Sequence, residues 1–278
     1  MRGRLWRQPL SVVGLVLVVA FAAMAVAAPW LAPRDPLAVD PVNRLALPSG
    51  DHLLGTDALG RDVLSRIIVG ARWSLGAALV VTVLVTVVGV TIGAVSGFVG
   101  GQLDSVVMRV VDALLAFPTL LLALAIVGVV GPGLRGVLTG LIAVGWADYA
   151  RVVRGIVLGL REREYVAAAR SAGGRNGHIL ARHIVPNVVS PVVVLASLEM
   201  GQLILALAGL SFLGLGAQPP TPEWGTMLND GRVFLLTAPQ LMIYPGIAIS
   251  LAVLGLNLLG DGLRDILDPR LASTTPVN

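Results

Sequence analysis

Residues 10–31 form one apolar run with no charged side chain, preceded by Arg2, Arg4 and Arg7. At about 1.5 Å per helical residue such a run crosses the roughly 30 Å hydrocarbon core of a bilayer. Further runs at residues 76–99, 106–130, 134 to about 149, 186–213 and 241–259 repeat the pattern. The sequence therefore predicts an all-α, polytopic membrane protein with six transmembrane helices. The chain is 56% hydrophobic and only 13% charged, far outside the balance of soluble proteins. The small residues Ala25-Val26-Ala27 resemble a signal-peptide cleavage site, but the run is longer than a signal peptide needs, which favours a retained anchor.

Turn signals divide the runs. Pro29, Pro33, Pro36, Pro41 and Pro48 mark a polar, non-helical excursion. Within residues 57–73, Leu59, Val63, Ile67 and Ala71 fall at helical spacing. Arg61, Asp62, Ser65 and Arg66 take the other face, with Asp62 and Arg66 four apart. This segment predicts an amphipathic helix lying along the membrane surface. Gly100-Gly101 and Gly131-Pro132-Gly133 make short turns, and Phe117-Pro118 is expected to kink the third span.

Charge sets the expected orientation. Between residues 151 and 182 lie seven arginines (151, 154, 161, 163, 170, 175 and 182) against Glu162 and Glu164, which places this segment in the cytoplasm by the positive-inside rule. The loop of residues 34–72 balances five Arg with five Asp, as an external loop can. Both termini are then cytoplasmic. The implied division is a tail and first span in residues 1–32, an external loop with the surface helix in 33–73, five helices in 74–262 and a cytoplasmic tail in 263–278.

Several chemistries are excluded. All the basic residues are Arg, and a phosphate-binding P-loop needs a Lys to reach the β- and γ-phosphates, so the chain is not a standard P-loop ATPase. Without Cys there are no disulfides or thiol nucleophiles. The three His are poorly spaced for a metal. The basic groups are scattered among apolar runs, which argues against nucleic-acid binding. No cofactor is expected on this chain.

The cytoplasmic segment carries the most specific pattern. Glu164-Tyr165-Val166-Ala167-Ala168-Ala169-Arg170-Ser171-Ala172-Gly173 reads as a short Ala-rich helix stopped by Gly173-Gly174, and a second helix from about Asn176 is expected to end before Pro186. Small Ala side chains permit close approach by another protein, and the arginines can pair with its acidic groups. This knob resembles the "EAA" coupling loop of ABC-importer permeases, with Gly173 and Pro186 at the family's spacing.

The rest of the chain resembles the second permease subunit of dipeptide, oligopeptide and nickel importers. The matching stretches are His52-Leu53-Leu54-Gly55-Thr56-Asp57, Leu59-Gly60-Arg61-Asp62-Val63-Leu64-Ser65-Arg66, Ala116-Phe117-Pro118, Ser211-Phe212-Leu213-Gly214-Leu215-Gly216, Pro222-Glu223-Trp224-Gly225 and Asn257-Leu258-Leu259-Gly260-Asp261-Gly262-Leu263-Arg264-Asp265. Two positions depart from the pattern: Ala167 replaces the Glu that names the loop, and Leu207 sits where many relatives carry an acid.

The resemblance implies a type I ABC-importer transmembrane domain in the cell inner membrane, working by alternating access. It implies partners: a second homologous permease, two ATP-binding subunits or one fused chain that use the ATP, and an extracytoplasmic solute-binding protein. It places Tyr165, Ala167, Ala168, Gly173 and Pro186 in the ATPase-coupling loop of about residues 151–186. Peptides, nickel chelates, haem and glycosides are all possible cargoes within such families.

Glu199 and Gln202 sit one turn apart in the fifth span, where an ionised carboxylate costs about 2.5–3.5 kcal/mol on insertion scales. They are candidates to line the translocation path; the alternative is an interhelical hydrogen-bond pair or a Glu near the interface. Arg109 and Asp112 in the third span read as a structural pair or as residues approaching the membrane interface, and Asp261, Arg264, Asp265 and Asp268 as a cap of the last helix or an ATPase contact. Two rival classes remain: a self-sufficient secondary transporter or channel, although no internal repeat is visible, and a membrane enzyme, for which no acid-base, nucleophile or metal constellation is present.

Overall fold

The computed structural model describes residues 9–267. The first apolar run is helix α1, Pro9–Leu31. Loop residues 32–62 follow, broken only by a short 3-10 turn at Pro41–Asn43 whose cap is Asp40, accepting from the Val42 amide. The loop folds back on itself: the Asp40 and Leu45 amides donate to the Leu59 and Asp57 carbonyls, each at 3.0 Å.

Helix α2 runs without a break over Val63–Val99, 37 residues, about 55 Å at helical rise. The separate surface helix expected over residues 57–73 does not form. Asp62 caps α2 by accepting from the Ser65 amide at 2.8 Å, and the first turns continue straight into the apolar run. Nor does the polar face meet solvent. Arg61, Asp62, Ser65 and Arg66 are all buried, covered by the preceding loop and by the later segment around Trp224. Asp62 and Arg66, read as a pair from their spacing, take other partners: Arg66 Nε lies 3.4 Å from Asp57, and Asp62 Oδ1 lies 3.0 Å from His52 Nδ1.

Gly100 and Gly101, with φ of 70° and 64°, turn the chain into α3, Gly101–Leu115, followed by α4, Thr119–Val130. The expected kink at Phe117-Pro118 is a full break, with α3 and α4 bent by 89°, because Pro118 has no amide to donate across the junction. Helix α5, Leu134–Arg161, leads to the short α6, Glu164–Ser171. Then come α7, Asn176–Ile179, a π-turn over Leu180–Ile184, and α8, Val185–Phe212. After α9, Trp224–Gly231, helix α10 spans Gln240–Leu267.

The second knob helix does not end before Pro186. The Val185 amide reaches back five residues to Leu180, and this wider turn makes room for the proline ring and its missing donor. Asn176–Phe212 is therefore one helical run of 37 residues.

Among the described residues, α1, α2, the run Asn176–Phe212 and α10 are long and apolar enough to cross a membrane, and α3 with α4 counts as a fifth if the bent pair is one span. The expected fourth span, α5, is 28 residues long but carries Arg135, Asp148, Arg151, Arg154 and Arg161. It packs along α2 more extensively than any other pair of helices. Gly89 and Gly93 make this possible: a Cβ at either would collide with the Tyr149 Cβ or the Ala150 carbonyl of α5. Among the described residues three of four apolar clusters stack along the bundle: one around Trp224 at the loop end, one between α2, α4, α5 and α8, and one beneath α6 at the knob end; the fourth joins Val111 of α3 to Ala147 and Ala150 of α5.

Candidate functional sites

The knob is built on two anchors. Val166 from α6 and Ile179 from α7 are fully buried with Phe98, Val153 and Val157. With Val166 facing inward, Tyr165, Ala167 and Ala168 on the same short helix face out, and Gly173 and Pro186 are exposed as well. All five residues assigned to the coupling loop by resemblance thus lie on the surface. Helix α6 closes with a Schellman turn: the Gly174 amide donates to Ala169 and that of Gly173 to Arg170, both at 3.0 Å. Gly173 sits at φ 80°, and no atom lies within 4 Å of where its Cβ would be. The constraint there is backbone conformation, not crowding within this chain.

The arginines divide into two groups. Arg154 makes a bidentate pair with Asp104 of α3, both bonds at 2.5 Å, Arg161 donates to the Gly97 carbonyl at 3.0 Å, and Arg151 pairs with Asp112. The Arg109–Asp112 pair expected from sequence is therefore replaced by one between α3 and α5, since Arg151 projects from the neighbouring helix towards the same carboxylate. Arg163, Arg175 and Arg182 are exposed and have no ion-pair partner among the described residues.

Halfway along the bundle, Glu199 and Gln202 of α8 line one cavity of about 400 Å³ with Asp148 and Tyr149 of α5 and Thr119 and Leu120 of α4. The structure brings together the two residues picked from sequence, and no hydrogen bond joins them. It adds Asp148, which the sequence reading missed although the signal was present: an acid in the middle of a helix long enough to span is a site candidate by default.

At the loop end, Glu223 is fully buried and accepts four hydrogen bonds. Its Oε1 takes Ser74 Oγ at 3.0 Å and the Gly225 amide at 2.9 Å; its Oε2 takes the Thr226 amide at 2.9 Å and Thr226 Oγ1 at 3.1 Å. Beside it, Trp224 Nε1 donates to the Ile67 carbonyl at 3.0 Å, and its ring meets Phe21 edge-on at 5.8 Å. Arg61 reaches Asp57 at 2.7 Å and Asp230 at 4.0 Å. Burial raises the Asp230 carboxyl, against the pull of Arg66 and Arg61. Burial also pushes Asp62 up, but hydrogen bonds from Ser65 and His52 outweigh it and hold that carboxyl below its usual range. This cluster fastens α1, α2 and α9 together.

Long apolar helices, a protruding knob and a mid-helix cavity holding two acids and a glutamine fit a multi-pass membrane protein. Residues 89–273 match the family of binding-protein-dependent transport system inner membrane components, and residues 1–48 match the N-terminal transmembrane domain of oligopeptide transport permease C. The chain is 43% identical over 97% of its length to a dipeptide transport system permease protein of Alkalihalophilus pseudofirmus, covering 89% of that relative. It is 42% identical over 93% of its length to a nickel transport system permease protein of Escherichia coli K12, covering 94% of it. To a glutathione transport system permease protein of Shigella flexneri it is 45% identical over 96% of its length, covering 89%. The chain belongs to the family of binding-protein-dependent ABC-importer permeases.

Proposed function

We propose that this chain forms the translocation path of an ATP-driven importer together with a second, homologous permease, and carries peptides or a related small solute inward. A solute-binding protein delivers cargo on the outer side, and ATP is used by two ATP-binding subunits, or one fused chain, that dock on the knob. The chain itself does no bond chemistry and holds no cofactor. Its six spans count α3 with α4 as one and α5 as another, with the knob and both termini in the cytoplasm. The path is lined by Glu199 and Gln202. The differing cargoes named for the relatives, a dipeptide, nickel and glutathione, support a small-solute path and leave the peptide assignment to uptake experiments.

The observation that carries this reading is the division of labour within α6. Val166 anchors the helix to the core, while Tyr165, Ala167 and Ala168 present an exposed face of mostly small side chains suited to close contact with another protein. The test replaces Gly173, whose positive φ sets the angle of the turn. Gly173→Leu is expected to abolish uptake and ATPase co-purification while the permease stays folded in the membrane. Gly173→Asn, which tolerates that conformation better, is expected to keep a substantial part of both. Normal coupling in Gly173→Leu removes the knob as the lever.

A further inference from the structure

We propose that Asp148 and Glu199 act as a pair of acids in the translocation path that favours cargo bearing a side-chain ammonium or guanidinium group. The proposal rests on the path reading above. Asp148 is the fifteenth residue of the 28-residue α5 and Glu199 the fifteenth of the 28-residue α8, so each acid sits at the middle of its helix, and both line the same cavity. No Arg lines that cavity. The nearest cation along α5, Arg151, is turned to Asp112. Among the described residues neither acid makes a hydrogen bond or a salt bridge.

A second observation points the same way. Tyr149, only 1% exposed, borders the cavity, and its enclosed hydroxyl has only the Thr86 hydroxyl beside it, with no hydrogen bond of good geometry between the two. Asp148 is exposed and Glu199 half-buried, and carboxyls left without partners inside a membrane are costly. The neutral donors lining the cavity are the Gln202 amide and the Thr119 and Tyr149 hydroxyls, and none of them bonds either acid. An ammonium carries three donors and a guanidinium five, with no acceptor to conflict with the acids. Either group complements the wall, while an anionic cargo meets two like charges.

The test uses the complete importer with its own binding protein and ATPase chains, and measures uptake of Ala-Lys-Ala, Ala-Ala-Ala and Ala-Glu-Ala. Because the binding protein is unchanged, the ratio between peptides in each variant, relative to wild type, isolates the membrane step. The Ala-Lys-Ala to Ala-Ala-Ala ratio is expected to fall about threefold in Asp148→Asn or Glu199→Gln. In the double variant it is expected to fall about tenfold, equivalent to about 1.4 kcal/mol, with a relative gain for Ala-Glu-Ala. Asp148→Glu, which keeps the charge, is expected to hold the ratio near wild type.

Unchanged ratios in the double variant overturn the proposal. A loss of Ni²⁺ uptake with unchanged peptide ratios also overturns it, in favour of a metal cargo. The path reading is tested separately by Gln202→Cys, since the chain has no cysteine of its own. If a bulky maleimide on that thiol leaves all uptake intact, the path itself is misplaced. If it stops uptake while the charge variants keep their ratios, the path stands and the acid pair falls.

Discussion

Replacing Glu223 by Gln changes one oxygen to an NH₂ group in a site where every neighbour is a donor. The two oxygens accept the backbone amides of Gly225 and Thr226 and the hydroxyls of Ser74 and Thr226. A Gln keeps one acceptor oxygen and turns two donors toward the other side. The hydroxyls can rotate to accept from the new NH₂, but the backbone amide on that side cannot, so one buried amide is orphaned whichever way the Gln is placed. An orphaned buried group costs about 1–3 kcal/mol, so Glu223→Gln is expected to cost about 2 kcal/mol. Glu223→Ala orphans both amides and removes the cap of α9, and is expected to cost about 4 kcal/mol. At about 2–4 °C per kcal/mol for a chain of this size, the thermal midpoint of the purified permease complex should fall by about 4–8 °C and about 8–16 °C. Equal midpoints for Gln and wild type, or an Ala variant no worse than Gln, refute the role of Glu223 as the common acceptor of this cluster.

Two further outcomes are expected. The folded value of Asp62 lies below its unfolded one, so its contribution to stability is present above the unfolded value and disappears as pH falls through the folded one; Asp62→Asn should flatten the acid limb of a stability-against-pH curve, and an unchanged limb rejects that assignment. Single cysteines at Ser49, Gln218 and Asn176 test the topology, with an impermeant thiol reagent expected to label the first two from outside and not the third.

What could be read in the sequence depended on whether a residue's partner was local. The runs that became α1 and α10, the Ala-rich α6 and its stop at Gly173-Gly174 follow from spacing and turn chemistry within a few residues. The first turns of α2 were misread because an amphipathic pattern only says that two faces differ. The polar face of Arg61, Asp62, Ser65 and Arg66 is buried under segments up to 169 residues away, as the contact of Arg61 with Asp230 illustrates. Asp112 was assigned to the nearest Arg in sequence, while its partner comes from the adjacent helix. Pro186 was taken as a stop because a proline ring conflicts with an ordinary α-turn, and the π-turn that relieves the conflict leaves no separate mark in composition. In the central cavity the sequence yielded two residues from one helix; Asp148, an acid in the middle of α5, carried the same signal and was missed, and its pairing with Glu199 shows only when α5 is laid against α8.

The unbroken run Asn176–Phe212 has a mechanical consequence. The exposed knob at its start and the cavity wall at its middle are parts of one rod, with Glu199 thirteen residues beyond Pro186, about 20 Å along the axis. If the rod tilts as a unit by roughly 10° about its knob end, Glu199 moves sideways by roughly 3.5 Å, about the width of a methyl group. On the proposed reading, a push on the knob would need no relay of side chains to reach the cargo, because the knob and the cavity wall belong to one continuous helical run.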